Sequence, residues 1–214
     1  MYKIEIATEV FQANPSFRRG IVVAQLNNQG HSPTLEEKLT TALENASTNP
    51  IDLSQDDRIL AWDKAHQNFG SNPNKFPPAH KNLLKRVQKP GTKLPFINKI
   101  VCIMNYNSIV SAMPVGGDDV HRAGNHLLLT YATGHERFTP LGNAPVEEHP
   151  EAGEIIYVVA ETQEVMCRRW NWRNSMKTAI SEETTLMVMN IDGLGEDSEN
   201  RAIVTRDQIG RAHV

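Results

Sequence analysis

Ile97-Asn98-Lys99-Ile100-Val101-Cys102-Ile103-Met104-Asn105-Tyr106-Asn107-Ser108 is the stretch from which the rest of the chain can be read. Ile97, Val101, Met104 and Ser108 recur at intervals of three and four. That is the period of a helix with one face turned inward, so a buried helix is expected over 97–112. Pro114-Val-Gly-Gly-Asp-Asp119 follows and reads as a loop. Upstream, residues 2–7 alternate like a strand and Gly20–Leu26 forms a second, more buried one. Thr34-x-x-Glu37 reads as a capping box for a helix over 34–47. A further helix is expected over 56–69, stopped by Gly70, with Trp62, Ala65 and Phe69 on its inner face. Pro77-Pro78 open a short basic helix holding Lys81, Lys85 and Arg86, with Leu83, Leu84 and Val87 turned in. Downstream, strands are expected at 126–132, 154–160, 164–170 and 186–192, and a last helix near 199–209. Two strands, then helices, then strands indicate an α+β fold, a central mixed or antiparallel sheet flanked by helices.

The 214 residues suit one domain spanning 1–214, and 39% hydrophobic with 22% charged residues is an ordinary globular balance. No apolar run is long enough for a membrane span, and the first residues lack a signal-peptide core. Cys102 and Cys167 stand far apart with no Cys-x-x-Cys, which fits a reducing cytosol and argues against structural zinc. His121 and His126 are not at a helical metal spacing. Asp118-Asp119 could bind a cation but reads better as a solvated loop pair.

Charge is unevenly distributed. Residues 64–117 carry 8 Lys and Arg and no acid, whereas 118–166 carry 9 acids and 2 Arg. Either the basic stretch is a face for a polyanion or the two segments neutralise each other, and the sequence leaves both readings open.

The usual catalytic signatures, Gly-x-Gly-x-x-Gly, the Walker loop, Gly-x-Ser-x-Gly and His-Glu-x-x-His, are absent. Cys167-Arg168-Arg169-Trp170-Asn171-Trp172-Arg173 is the densest polar segment. On a strand, Arg169, Asn171 and Arg173 would face one way and Arg168, Trp170 and Trp172 the other. Arginine forks grip phosphate or carboxylate and indoles stack on bases, so a binding site is favoured. The plainer reading makes the Trp pair core and pairs the Arg with Glu161 or Glu164. Asn105, Tyr106 and Asn107 offer uncharged donors and acceptors on one turn, equally compatible with a helix surface.

These pieces resemble the tRNA-editing (B3/B4) domain of the bacterial phenylalanyl-tRNA synthetase beta chain and its free-standing relatives. Ile97-Asn98-x-x-Val101-x-x-x-Asn105-Tyr106 matches the family's Ile-Asn-x-x-Val-x-x-x-Asn-Tyr, and Pro114–Asp119 matches its Pro-x-His-Ala-x-Asp loop. Phe138-Thr-Pro-Leu-Gly142 and Ser181-Glu-Glu-Thr184 match similar segments, and Arg168–Arg173 looks like a mark of the free-standing branch. The resemblance implies an α+β domain that hydrolyses the ester of misacylated tRNA, chiefly tyrosyl, without a metal or other cofactor. A positioned water and donors for the carbonyl oxygen would suffice for so activated an ester.

On that basis the expected function is trans-editing hydrolysis of misacylated tRNA in the cytoplasm. The alternative is a non-catalytic module that binds tRNA or an amino acid. Gly116, Gly117 and Asp119 would carry the catalysis. Asn105, Tyr106, Asn107, Pro114, Arg168, Arg169, Asn171 and Asn190 would bind the substrate. Lys75, Lys81, Lys85, Arg86, Lys89, Lys93 and Lys99 would receive tRNA phosphates. Gly116 replaces the family's loop histidine, Met104 its threonine and Asn190 its glutamate, so tyrosine specificity is not carried over.

Overall fold

A computed structural model describes residues 2–142 and 146–211. The strands are β1 (Lys3–Ile6), β2 (Arg18–Gln25), β3 (Val115–Asp119), β4 (His126–Tyr131), β5 (Ile155–Val159), β6 (Glu164–Arg168), β7 (Arg173–Asn174) and β8 (Leu186–Gly193). The helices are α1 (Thr8–Ala13), α2 (Pro33–Thr48), α3 (Asp57–Asn68), α4 (Ala79–Val87), α5 (Lys99–Ser111), α6 (Val120–Ala123) and α7 (Ser198–Arg211). The fold is α+β, as expected. A mixed five-stranded sheet runs β1-β4-β5-β6-β7, parallel only between β1 and β4, and a three-stranded antiparallel sheet runs β2-β8-β3.

The local chemistry explains the elements. Asp56 caps α3 by accepting from the Arg58 N–H at 3.0 Å, and Asn98 caps α5 by accepting from Val101 N–H at 2.9 Å. The Asn28 side chain takes a further free donor of α5, the Ile100 N–H, at 3.0 Å. The Thr34–Glu37 capping box does not form. Pro33 occupies the first turn instead, and the Ser32 ahead of it makes no side-chain cap.

Every residue of β5 is buried, because the strand is covered on both faces. Ile155, Tyr157 and Val159 face the main core with Phe17, Trp62 and Trp170, while Ile156 and Val158 pack on Phe138 and Val165. The small sheet lies between that core and the helices. Val188 joins the main core, whereas Met187, Met189 and Ile191 pack with Ile100 and Ile103 of α5 and Ala202 of α7. α2, α3, α4 and α5 enclose a further core around Leu39, Ile59, Leu84 and Ile109.

Two sequence expectations need correction here. Residues 115–119 are a strand, not a loop: β3 pairs with β8 in continuous register from Val115↔Ile191 to Asp119↔Met187. Two glycines weaken the strand signal in sequence but do not prevent pairing on a buried neighbour. The strand expected to run through 170 ends at Arg168, because Arg169 (φ 46°) and Trp170 (φ 64°) are both left-handed.

Trp170 is 1% exposed and meets Phe17 and Trp62 edge-on, with ring centroids 5.0 and 4.9 Å apart. Trp170→Ala should therefore lower unfolding free energy by about 3–5 kcal/mol. Chemical denaturation should show this as a reduced midpoint.

Candidate functional site

Strand β3 is an edge strand, and its alternation decides which of its groups are free. The Asp192 N–H donates to Pro114 C=O at 3.1 Å, and the Asp119 N–H donates outward to Thr178 C=O at 2.9 Å. N–H and C=O of one residue point to the same side of a strand and alternate along it. Gly116 and Asp118 therefore turn their backbone groups toward β8, and Gly117 turns its N–H to the open edge. Of the two backbone donors expected from sequence, Gly116 is committed to the ladder and Gly117 is available.

The side-chain faces alternate too. A Cβ on Gly117 would stand 2.9 Å from Val188 C=O and 3.2 Å from Met104 Sδ. A Cβ on Gly116 would meet nothing within 4 Å. Each face of β3 borders a concavity. On the α5 side is a cleft of about 390 Å³, walled by Leu83, Ile97, Val101, Met104, Leu141 and Ile180, with Asn105 and Ser108 among its polar residues. On the other side is a smaller recess of about 80 Å³, lined by Tyr157, Cys167, Trp170, Asn171, Asn190 and Asp192. Ala79, Val115, Gly116, Gly117, Asp118 and Asn174 line both, so the two meet around the open edge of β3. The stripe Ile97-Val101-Met104-Ser108 is thus the cleft wall rather than a closed core face, and Ile97 is 57% exposed.

Asp118 stands at that junction. The Thr178 hydroxyl donates to its carboxylate at 2.5 Å. Burial pushes its pKa up to about 7, against the opposing pull of the Thr178 bond and Arg19, with Asp119 adding to the rise. Asp119 has a different task. Its oxygens accept from the Thr184 hydroxyl at 2.7 Å and the His121 N–H at 2.9 Å, the latter capping α6, and it lines neither concavity. The adjacent acid, Asp118, read from sequence as half of a solvated pair, is the one that lines both concavities.

Asp192, which lines the recess, belongs to a buried ion pair behind it. Arg19 Nε and Nη2 each donate to Asp192 at 2.6 Å, with side chains 2% and 5% exposed. The Trp170 indole N–H also donates to Asp192, at 3.3 Å. The Arg19 guanidinium lies 4.4 Å from the Tyr157 ring centroid. Tyr157, Asp192 and Arg19 escaped the sequence reading, since no motif marks them. Burial also pushes the Cys167 thiol well up, so it remains protonated and is no thiolate nucleophile.

Arg168 and Arg169 do not reach the site. Arg168 makes a bidentate pair with Glu154, both contacts 2.9 Å, and a bond to Glu148 at 3.1 Å. Arg169 pairs with Glu151 at 2.8 Å and stacks 4.0 Å over Phe76. The plainer reading holds in part: Trp170 is core and the arginines are paired, but with Glu148, Glu151 and Glu154 rather than Glu161 or Glu164, and Trp172 is only half-buried, against Phe76. Asn171 does line the recess, placed there by the left-handed turn, and its side chain lies against buried His66. Asn105, Tyr106 and Asn107 separate, because consecutive helical residues point about 100° apart. Asn105 lines the cleft, Tyr106 packs against the helical core, and buried Asn107 donates to Ile103 C=O at 2.8 Å. Pro114 and Asn190 both line the recess.

Among the expected phosphate contacts, Lys81 is paired with Asp63 at 2.5 Å and Lys99 donates to Asn27 C=O at 3.2 Å. Lys75, Lys85, Arg86, Lys89 and Lys93 are exposed and make no ion pair among the described residues. The basic stretch is therefore largely not neutralised by its acidic neighbour. Among the described residues no group of three His, Cys, Asp or Glu is placed to hold a metal ion, and no helix is long and apolar enough to cross a membrane. His66 and His80, buried beside Trp62, are driven by desolvation to about 4 and about 3 and stay neutral.

Residues 61–205 match the family described as the B3/4 domain. No curated protein matches the chain. Among solved structures, an N-terminal fragment of the phenylalanyl-tRNA synthetase beta subunit from Pyrococcus horikoshii is similar, with a TM-score of 0.47 and 11% identity. The similarity covers 98% of this chain and 49% of that one, so the chain spans about half that fragment's length.

Asp118 titrates near 7 when folded and at about 3.9 when unfolded. Between those values the native state holds a proton that the unfolded state lacks, so stability falls as pH rises through the window and levels off above it. Asp118→Asn should abolish that loss. Thermal melts at pH 4, 6 and 8 should show the variant matching the parent at the lowest pH and exceeding it increasingly toward the highest.

Proposed function

The chain belongs to the B3/4 domain family, and from that premise we propose that it hydrolyses misacylated tRNA at the ester joining the amino acid to the terminal ribose. The observation that supports this reading is the junction itself. A backbone donor and a carboxyl group poised near neutrality meet where an apolar cleft opens into a polar recess. The cleft offers Ile97, Val101, Met104 and Leu83 to the flat face of the terminal nucleoside. The recess takes the amino-acid side chain. The ester carbonyl then lies at the edge of β3.

In this arrangement ionised Asp118 takes a proton from a water, whose oxygen attacks the carbonyl carbon. Gly117 N–H donates to the oxyanion that forms. The carbon–oxygen bond to the ribose breaks, the ribose oxygen takes up the proton, and free amino acid and tRNA result. A pKa near 7 suits a general base at neutral pH. The exposed Lys75, Lys85, Arg86, Lys89 and Lys93 receive phosphates of the acceptor end. Arg86 continues the helical stripe of Ala79 and Leu83 that walls the cleft, which ties the basic face to the site.

A second reading, binding without turnover, is favoured by Gly116. This residue leaves open space where the resembled family carries a histidine, so the recess has one reactive side chain fewer.

Incubation with a panel of aminoacyl-tRNAs separates the two readings. The hydrolase should accelerate deacylation of at least one pair, and Asp118→Asn should lower that rate by about 10²-fold or more, within the range for general-base catalysis. Saturable binding with every ester decaying at the buffer rate would select the binding module.

The tRNA affinity should fall with salt by a log–log slope of about −0.7 to −0.9 per phosphate contacted. The Lys85→Ala/Arg86→Ala double variant should flatten that slope by about 2. A flat response in the parent protein would remove the phosphate-binding role.

A further inference from the structure

The chain has three tryptophans, and they are not alike. Trp62 and Trp170 are each 1% exposed and belong to the main core, whereas Trp172 is half-buried at the surface. Its ring meets that of Phe76, also half-buried, with centroids 4.7 Å apart and planes at 72°. The Arg169 guanidinium lies 4.0 Å from the Phe76 ring centroid and backs the pair from inside. The Trp172 N–H donates to Arg168 C=O at 3.1 Å, across the left-handed turn. The indole is therefore held in place by both its neighbour and its backbone, while part of its surface stays open to water.

Charge and position say what this surface suits. Lys75 is exposed, with its Nζ 5.1 Å from the Phe76 centroid. The Arg173 guanidinium lies 5.8 Å from the Trp172 centroid, and its side chain is 40% exposed. Glu148 is 3.6 Å from Arg173 and 3.1 Å from Arg168, so one carboxylate is shared by two arginines. Glu151 and Glu154 are drawn to Arg168 and Arg169 behind the pair, which leaves Lys75 and part of Arg173 unbalanced in front. The same surface adjoins the mouth of the site. Asn171, one residue before Trp172, lines the recess, and Asn174, two residues after it, lines both concavities. Ala79, three residues beyond Phe76, also lines both, and its N–H donates to Asn171 C=O at 3.1 Å, which ties the two segments together.

We propose that Trp172, set against Phe76 and flanked by Lys75 and Arg173, is a stacking platform for an unpaired nucleobase of the RNA strand whose terminal nucleoside enters the cleft. This rests on the reading above that the acceptor end of tRNA binds at β3. Every base has a π-face, so stacking on an indole tolerates any sequence, and the neighbouring cations serve the phosphates on either side of the stacked base. The platform also distinguishes a single-stranded end from a paired one, because bases within a duplex offer no free face to the indole.

The test compares, on the full chain, an uncharged tRNA with its unpaired 3′ end and the same tRNA trimmed back to its last base pair. Trp172 is the tryptophan that water reaches, so it is the one that acrylamide quenches and that a stacked base should quench. The intact tRNA should lower indole fluorescence and shield it from acrylamide, and the trimmed one should do neither. The intact tRNA should also bind about tenfold more tightly. Trp172→Leu should remove most of that difference with the salt slope of the parent retained, and Trp172→Phe, which keeps an aromatic face, should restore much of it. The trimmed tRNA controls for folding, since it should bind parent and variants alike. Lys75→Ala should instead flatten the salt slope by about 0.7 and keep the quenching. Absence of quenching in the parent, or an unchanged affinity ratio in Trp172→Leu, with salt-dependent tRNA binding intact, would overturn the platform and leave the tRNA reading standing. Failure of the parent to bind either tRNA, with no deacylation of any aminoacyl-tRNA, would overturn both.

Discussion

The Arg19–Asp192 pair is the constraint on which the site depends. It joins β2 to β8 within the small sheet, and through the Trp170 indole and the Tyr157 ring it fixes the small sheet against the large one. A buried ion pair is not by itself a strong source of stability, since desolvation offsets most of the Coulomb gain. Its geometric effect is clearer. Both guanidinium contacts to one carboxylate fix its orientation, and the carboxylate in turn fixes the indole. With Trp170 held, the turn before it is held, and Asn171 enters the recess. Removing either partner would leave a buried charge between the sheets, a strongly destabilising change at the place where the two sheets meet.

The strain of that turn is part of the same arrangement. Two successive non-glycine residues in the left-handed region, one of them a tryptophan, cost free energy wherever they occur. The structure holds them from several directions. Trp170 N–H donates to Ile155 C=O at 2.5 Å, Trp170 fills the aromatic core, and Arg169 lies between Phe76 and Glu151. Arg168, tied to Glu154 and Glu148, anchors the end of β6 just ahead of the turn. These arginines therefore hold the frame around the recess and do not line it.

This explains what the sequence disclosed and what it hid. Helix periodicity placed α2, α3, α4 and α5 well, because that signal lies within a few residues, although the capping box read at the start of α2 does not form. The α+β order followed from them. The dense Arg–Trp segment was visible as unusual, but its role depended on glutamates 14–20 residues away that curl back over it, and on two backbone angles that no propensity scale anticipates. Asn105, expected from the resemblance, lines the cleft, whereas Tyr106 and Asn107 only share its turn. Asp118 and Asp119 are adjacent and identical in type. Only the alternation of β3 separates a capping residue from one whose ionisation is shifted by burial, and strand alternation was invisible while Gly116-Gly117 read as a loop.

The glycine pair also reconciles an exposed donor with a stable sheet. An open strand edge offers unpaired backbone groups and invites association with other chains. β3 limits that hazard by being five residues long, by ending in two carboxyl-bearing residues, and by having Thr178 C=O close its last outward N–H. What remains open is the stretch around Gly117, narrow and flanked by cleft and recess. A side chain at 117 would collide with Val188 C=O and press on Met104, so the strand could not stay in register beside α5. A side chain at 116 would instead project into the recess and fill part of it. Glycine at both positions thus leaves one donor on the edge and one concavity on each side of it, an arrangement suited to a carbonyl group whose two substituents lie in different surroundings.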